Sequence, residues 1–111
     1  MRYVVRIVSA LGLLVALSAT ASAETVAHGE QVYAQQCATC HGEQARGGIK
    51  DLRRMTPATH AEFLDIVLRG KRREKGMASF GDTLSQADAD ALHAYLIHRA
   101  NADWSEIEKG N

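Results

Sequence analysis

No excess of either charge, no second cysteine pair, no repeated unit and no apolar run long enough to cross a bilayer occur in this 111-residue chain. Each absence removes a class of function. With 13 basic and 13 acidic residues the chain has no formal net charge, and no general affinity for nucleic acid or an anionic membrane follows from such a balance. No stretch alternates apolar and polar residues convincingly, so a sheet-based fold is not expected. Aromatic residues are scarce: beyond Tyr3 there are only Tyr33, Phe63, Phe80, Tyr95 and Trp104. A chain of this size with so few large side chains has a thin core of its own, and domains of that kind commonly depend on a metal, a disulfide or a bulky bound group.

The N-terminus has the form of an export signal. Arg2 and Arg6 precede the apolar run Ile7–Leu17, and the segment ends in Ala21-Ser22-Ala23, a small-residue pattern typical of a cleavage site. A signal over residues 1–23 is therefore expected, with the mature chain starting at Glu24 and forming one domain over residues 24–111. Loss of Arg2 and Arg6 takes Lys plus Arg from 13 to 11 against 13 acidic residues, a formal charge of −2. Five of the remaining basic residues, Arg69, Lys71, Arg72, Arg73 and Lys75, crowd into "RGKRREKG".

Apolar positions recur at helical spacing in three places, which predicts an all-α domain of three main helices. The first runs over about residues 26–36, with Thr25 as cap and Val26, Gly29 and Tyr33 on one face. The second begins near Thr59, three residues before Glu62 in capping-box spacing, because Pro57 opposes an earlier start; it carries Phe63, Ile66 and Val67 and stops at Gly70. The third begins after Ser85, has Asp88 in its first turn and Ala91, Leu92, Tyr95 and Leu96 on its apolar face, and ends near Asn101. Loops over 42–58 and 71–84 and a polar tail from about 101 make up the rest.

The two cysteines, Cys37 and Cys40, stand three positions apart with His41 directly behind them. A thioredoxin-like dithiol needs a strand ahead of the pair, and none is expected here. Structural zinc needs four ligands, and the spacing of His60, His93 and His98 fits no common finger. A disulfide across two intervening residues closes a loop too small to remove much chain entropy. The remaining reading uses all five residues of "CATCH": Cys37 and Cys40 as thioether anchors of one covalently bound haem c, and His41 as an axial ligand of its iron. For the opposite axial position Met55, Met77, His60, His93 and His98 are candidates. Met77, on the glycine-containing loop "KGMASFGD" between the second and third helices, is the expected ligand, Met55 being read as cover for apolar surface and the histidines as partly exposed surface residues.

Over about residues 27–100 the chain resembles the class I cytochromes c. The resemblance rests on "GEQVYAQQCATCHG", "GMASF" and "LSQADADALHAYL", and within that family it is most similar to the haem domains of quinohaemoprotein alcohol dehydrogenases and their small partner cytochromes, where "CHG", "DLR", "F..IV..G", a "GM" loop and "LS..D..A...YL" recur in that order. The resemblance implies that Gly29 and Tyr33 cross Leu92, Tyr95 and Leu96. It implies a backbone carbonyl just before Asp51 that accepts from the outer nitrogen of His41, although Lys50 stands where a proline is usual and Ala78 follows Met77 where another is usual. Arg53 or Arg54 is a candidate partner for a haem propionate.

With both axial positions filled, the iron has no vacant site, and the expected function is one-electron transfer in the bacterial periplasm rather than bond-making catalysis. The run Arg69–Lys75 is expected near the haem rim as a docking patch for an acidic redox partner, a dehydrogenase, a terminal oxidase or another cytochrome. Two alternatives stay open. In one the chain is a permanent subunit of a quinoprotein-type dehydrogenase, touching it through Trp104 and Ile107. In the other it is a gas-binding haem sensor with a displaceable Met77.

Overall fold

The computed structural model describes Gly12 and residues 21–110, and these are helical, with turns and loops and no strand among them. The expected export signal falls almost entirely outside the described residues. Among the described residues are six α-helices: α1 (Ala23–Gln36), α2 (Ala38–His41), α3 (Pro57–Ala61), α4 (Phe63–Leu68), α5 (Gln86–Ala102) and α6 (Trp104–Lys109). Short 3-10 turns occur at Glu43–Ala45, Leu52–Arg54 and Arg73–Lys75.

Helices α1 and α5 form the frame. Gly29, Val32 and Tyr33 are the buried face of α1, and Ala89, Ala91, Leu92, Tyr95 and Leu96 that of α5. A Cβ added to Gly29 would overlap the carbonyl oxygen of Ala91 and lie 2.8 Å from the Tyr95 Cβ, so the two backbones meet where only hydrogen fits. The Tyr33 and Tyr95 rings pack at 5.4 Å between centroids, tilted by 48°. Tyr33, Leu92 and Leu96 are almost completely excluded from solvent, and Phe63, Val67 and Leu84 complete the core. The expected crossing is therefore present.

Helix starts follow side-chain chemistry. Ser85 accepts from the Asp88 amide while Asp88 accepts from the Ser85 amide, a full capping box that fixes the start of α5. Helix α1 begins earlier than expected, because the Ser22 hydroxyl accepts from the Thr25 amide at 3.1 Å. The second helical stretch also begins earlier, at Pro57. Thr56 caps it through the Thr59 amide, and a proline in the first turn gives up no intrahelical hydrogen bond there. That stretch breaks at Glu62, and α4 ends before Gly70, whose φ is +70°.

The largest departure is at the C-terminus. In place of a polar tail from about 101, α5 continues to Ala102 and α6 follows, with Ile107 buried and Asp103 only 9% exposed. Asp103 accepts from Arg46 (3.3 Å), Arg53 (3.2 Å) and Arg99 (2.6 Å), which ties α6 back to the loop after α2. Ile107 is thus core and unavailable as a partner contact, whereas Trp104 is 58% exposed.

Candidate haem site

The "CATCH" pentad folds as the single turn α2, packed directly behind α1. The Cys40 and His41 amides both bond to the Cys37 carbonyl, at 3.2 and 3.0 Å, so the three side chains emerge from one turn. Gly42 (φ +82°) then reverses the chain, and the Tyr33 hydroxyl donates to its carbonyl at 2.5 Å. That bond runs from the frame helix to the residue after His41 and anchors the turn. Burial, with the nearby Cys37 adding to it, pushes the Tyr33 hydroxyl up to about 12, so it stays a donor at every physiological pH. Sequence reading placed Tyr33 on the core face without assigning its hydroxyl; the signal available was a polar atom on an otherwise apolar stripe four residues before Cys37.

Beside this turn lies a cavity of about 400 Å³, bounded by Cys37, Cys40 and His41 on α2, Ile49 and Lys50 on the following loop, and Lys75–Ala78 and Phe80 on the loop after α4. It leads inward to a recess of about 60 Å³ lined by Leu52, Met55, Thr59, Phe63, Ile66, Val67, Leu92 and Leu96. Cys37, His41, Lys50, Arg72 and Met77 border both parts. The volume suits a ligand of cofactor size, and the inner wall is almost wholly apolar.

Of the residues expected at the site, Cys37, Cys40, His41 and Met77 all line this space. Met55 borders only the inner recess. His60, His93 and His98 line neither part; His98 is exposed, and His60 and His93 bond to each other instead. Arg72 and Lys75, from the basic run expected near the rim, do border the cavity, whereas sequence reading did not find the cavity-lining roles of Ile49 and Lys50, because these depend on how the loops after α2 and α4 close over one another.

The donor set fits a covalently attached haem on two counts. Burial, then the neighbouring Cys40, pushes the Cys37 thiol up to about 11, the opposite of the thiolate needed by a dithiol switch or a zinc site. Both cysteines are free thiols, and among the described residues no group of three or more His, Cys, Asp and Glu side chains is placed to hold a metal ion. One expectation is not met: Nδ1 of His41 is buried without a hydrogen-bond partner among the described residues, so the expected acceptor before Asp51 is not engaged in this conformation, although a buried imidazole nitrogen is costly to leave unpaired.

Arg53 does not face a propionate site. Its side chain is 8% exposed and is held by Asp51 (2.9 and 2.7 Å), Asp103 (3.2 Å) and Glu106 (3.4 Å). Arg54 donates to the Ile107 carbonyl at 3.1 Å. The cations bordering the cavity are Lys50, Arg72 and Lys75.

Comparison with known proteins agrees with this geometry. Residues 24–96 match the family model described as cytochrome C oxidase, cbb3-type, subunit III. Quinohemoprotein alcohol dehydrogenase ADH IIB of Pseudomonas putida is 38% identical over 92 residues, covering 81% of this chain but 13% of that protein. The cytochrome c6-like protein of a Nostoc species is 30% identical over 105 residues, covering 88% of this chain and 92% of the relative. Among solved structures, quinohemoprotein alcohol dehydrogenase ADHIIG from Pseudomonas putida HK5 superposes with a TM-score of 0.73 at 35% identity, over 79% of this chain and 13% of that one. The chain thus spans about an eighth of the dehydrogenases that it matches and nearly all of the small cytochrome. By sequence, fold and site composition, the chain belongs to the cytochrome c family, a family of electron-transfer domains that bind one covalently attached haem c.

Proposed function

We propose that this chain is an exported, monohaem electron carrier of the bacterial periplasm, working between a dehydrogenase and a downstream acceptor. The observation that carries the reading is the convergence of two free thiols, an imidazole and a thioether on one largely apolar cavity. Bound haem iron supplies reversible one-electron exchange between the ferric and ferrous states.

The chain's own residues do the rest. Cys37 and Cys40 would hold the haem as thioether anchors, and the α2 turn fixes both together with the imidazole of His41, the proposed axial ligand. Met77 is the proposed second ligand, a soft neutral donor that favours the reduced state. The inner wall of Leu52, Phe63, Ile66, Val67, Leu92 and Leu96 excludes water, which keeps reorganisation on electron exchange small. Among the described residues no helix is long and apolar enough to cross a membrane.

Docking is proposed at the cavity mouth. Ile49, 75% exposed, is an apolar contact that shares the cavity lining with the exposed Lys50 and Lys75, and Arg73, also exposed, lies two residues before Lys75. Of the basic run expected to dock a partner, Arg69 is paired with Asp65 and Lys71 with Glu62 (2.6 Å), while Arg72 is half-buried and reaches Thr59. The net positive field toward a partner therefore comes mainly from Arg73, Lys75 and Lys50. A second reading, a permanent haem subunit of a quinoprotein-type dehydrogenase, is favoured by the likeness to dehydrogenases of which this chain spans only about an eighth, with exposed Trp104 as the proposed contact.

The test is an absorption spectrum of the exported protein, oxidised and reduced, with its Met77→Ala variant. Covalent haem, with a ferric methionine-to-iron charge-transfer band that Met77→Ala abolishes, supports the carrier. Haem without that band would mean a different sixth group and would favour gas binding. Elution as a lone species on size exclusion separates the carrier from the permanent subunit.

A further inference from the structure

We propose that His60 and His93 form a proton-sharing pair coupled to the redox site, so that uptake of an electron there is accompanied by uptake of a proton from water at the pair. The inference rests on the electron-transfer reading above and extends it to a residue pair that plays no part in holding the haem.

The geometry is specific. Nδ1 of His60 and Nε2 of His93 lie 2.8 Å apart, joining α3 to α5. The ring centroids are 5.1 Å apart with 28° between planes, so the rings meet edge to edge along the N···N line. His93 and Phe63, by contrast, lie face to face, at 4.2 Å and 8°. An N–H···N bond needs one nitrogen with a proton and one without. The pair therefore holds one proton between its rings, and a further proton on an outer nitrogen turns the bond into a charge-assisted one. A second added proton would set two N–H donors head to head and break it. The same alignment disfavours a metal site at the two facing nitrogens, since one carries the bridging proton and the other's lone pair accepts it.

The pair sits directly behind the cavity wall. Phe63, the ring on which His93 rests, is 5% exposed and lines the inner recess, and Thr59, the residue before His60, lines the same recess. A change of charge in the cavity acts on the pair through apolar side chains, where screening is weaker than in water. Of the charged groups nearby, Asp90 on α5 favours protonation of His93, and Arg72, from the loop after α4, reaches the same short helix at Thr59. Glu62 and Lys71 neutralise each other at 2.6 Å. Burial first, then His60, holds His93 below the ordinary histidine range despite Asp90, which places the exchange on the acid side of neutrality.

The sign follows from charge. One electron arriving from a redox partner makes the cavity more negative and favours one added proton at the pair; oxidation returns the electron to an acceptor and the proton to water. By linkage, each event changes the affinity for the other by the same factor. Couplings of this kind are about 5- to 150-fold, and with the Phe63 ring intervening about tenfold is expected, equivalent to a total shift of about 59 mV for a one-electron couple.

The experiment uses the haem-loaded full chain. Its midpoint potential is measured between about pH 5 and 8, alongside NMR titration of the His60 and His93 ring protons in each oxidation state. The expected result is a potential that falls as pH rises, a pair that titrates about tenfold higher in the reduced protein, and a flattened pH dependence in His60→Ala and His93→Gln. Equal titration of the pair in both oxidation states, or an undiminished slope in both variants, would overturn the coupling. If either variant fails to fold, the titration of the native protein decides. Absence of any reversible one-electron couple overturns the parent reading, whereas a reversible couple with an unmoved pair overturns this inference alone.

Discussion

Arg53 and Asp103, each about nine-tenths buried, face each other at 3.2 Å and join the loop after α2 to the start of α6. Asp103 also receives Arg46 and Arg99, so one carboxylate collects three guanidinium groups. Removing one member of a buried ion pair leaves the others uncompensated and costs about 3–5 kcal/mol. Asp51 still holds Arg53 in an Asp103→Ala variant, which puts the expected loss near about 3 kcal/mol, or a fall in Tm on the order of 10 °C or more for a domain of this size. Thermal melts measure it. None of the three arginines paired with Asp103 lines the cavity, so the absorption spectrum of the loaded variant is expected to match that of the native protein.

The same cluster sets the response to acid. Burial pushes the Asp103 carboxyl up, but hydrogen bonds from Arg53 and Arg99 outweigh it and hold the group below its usual range; for Asp51 the Arg53 bond is the leading influence and acts in the same direction. A carboxyl depressed in the folded state adds stability that is present above about pH 3.9 and is lost as pH falls through the folded value. His93, depressed by burial and by His60, adds stability that is complete above about pH 6.5 and declines below it, as the unfolded chain takes up the proton more readily. Denaturant titrations against pH are therefore expected to show two stages of loss. His93→Gln should remove the upper stage and Asp103→Asn should weaken the lower; a single stage below about pH 4 would show that His93 carries no such linkage.

What could be read from the sequence was local. "CATCH" is five consecutive residues, and the Ser85–Asp88 capping box is settled within one turn, so both were legible. Thr59 reads as a cap if Pro57 is a barrier, whereas Thr56 caps a helix that takes proline in its first turn. Helix α6 reads as tail because its own pattern is polar; its one buried apolar residue, Ile107, lies one turn after Asp103, whose carboxylate is held by Arg99 of α5 and by Arg46 and Arg53, 57 and 50 residues away. The same limit applies to Arg53, whose three acidic partners come from two separate segments. The cavity wall likewise joins α2, α3, α4, α5 and the loops between them, a set that no local spacing encodes.

At Gly29 two principles oppose each other. In an exposed helix interior, Gly→Ala gains about 1 kcal/mol. Here the added methyl would strike the Ala91 backbone and crowd Tyr95, and overpacking costs about 1–3 kcal/mol. Because the obstacle is a backbone carbonyl that no rotamer change can move, Gly29→Ala is expected to lower stability by about 1–2 kcal/mol in urea unfolding. A more stable variant would mean that the α1–α5 crossing is looser than its geometry implies.

The cavity mouth gives the last prediction. If Arg73 and Lys75 supply the field that guides an acidic partner, an anionic small oxidant such as hexacyanoferrate(III) is guided by the same field. Its rate of oxidising the reduced protein is expected to fall as salt shortens the Debye length below about 10 Å. Arg73→Glu with Lys75→Glu should lower the low-salt rate severalfold and flatten the salt dependence. Arg69→Glu is the control within the same run: Asp65 already offsets that charge, so the substitution should act through a more distant and partly cancelled site and cost less. Equal losses from the double variant and from Arg69→Glu would locate the effect in the net charge of the whole chain rather than at the cavity mouth. A rate unmoved by either would remove the case for electrostatic docking at this loop, and would shift attention to the exposed apolar contacts Ile49 and Trp104.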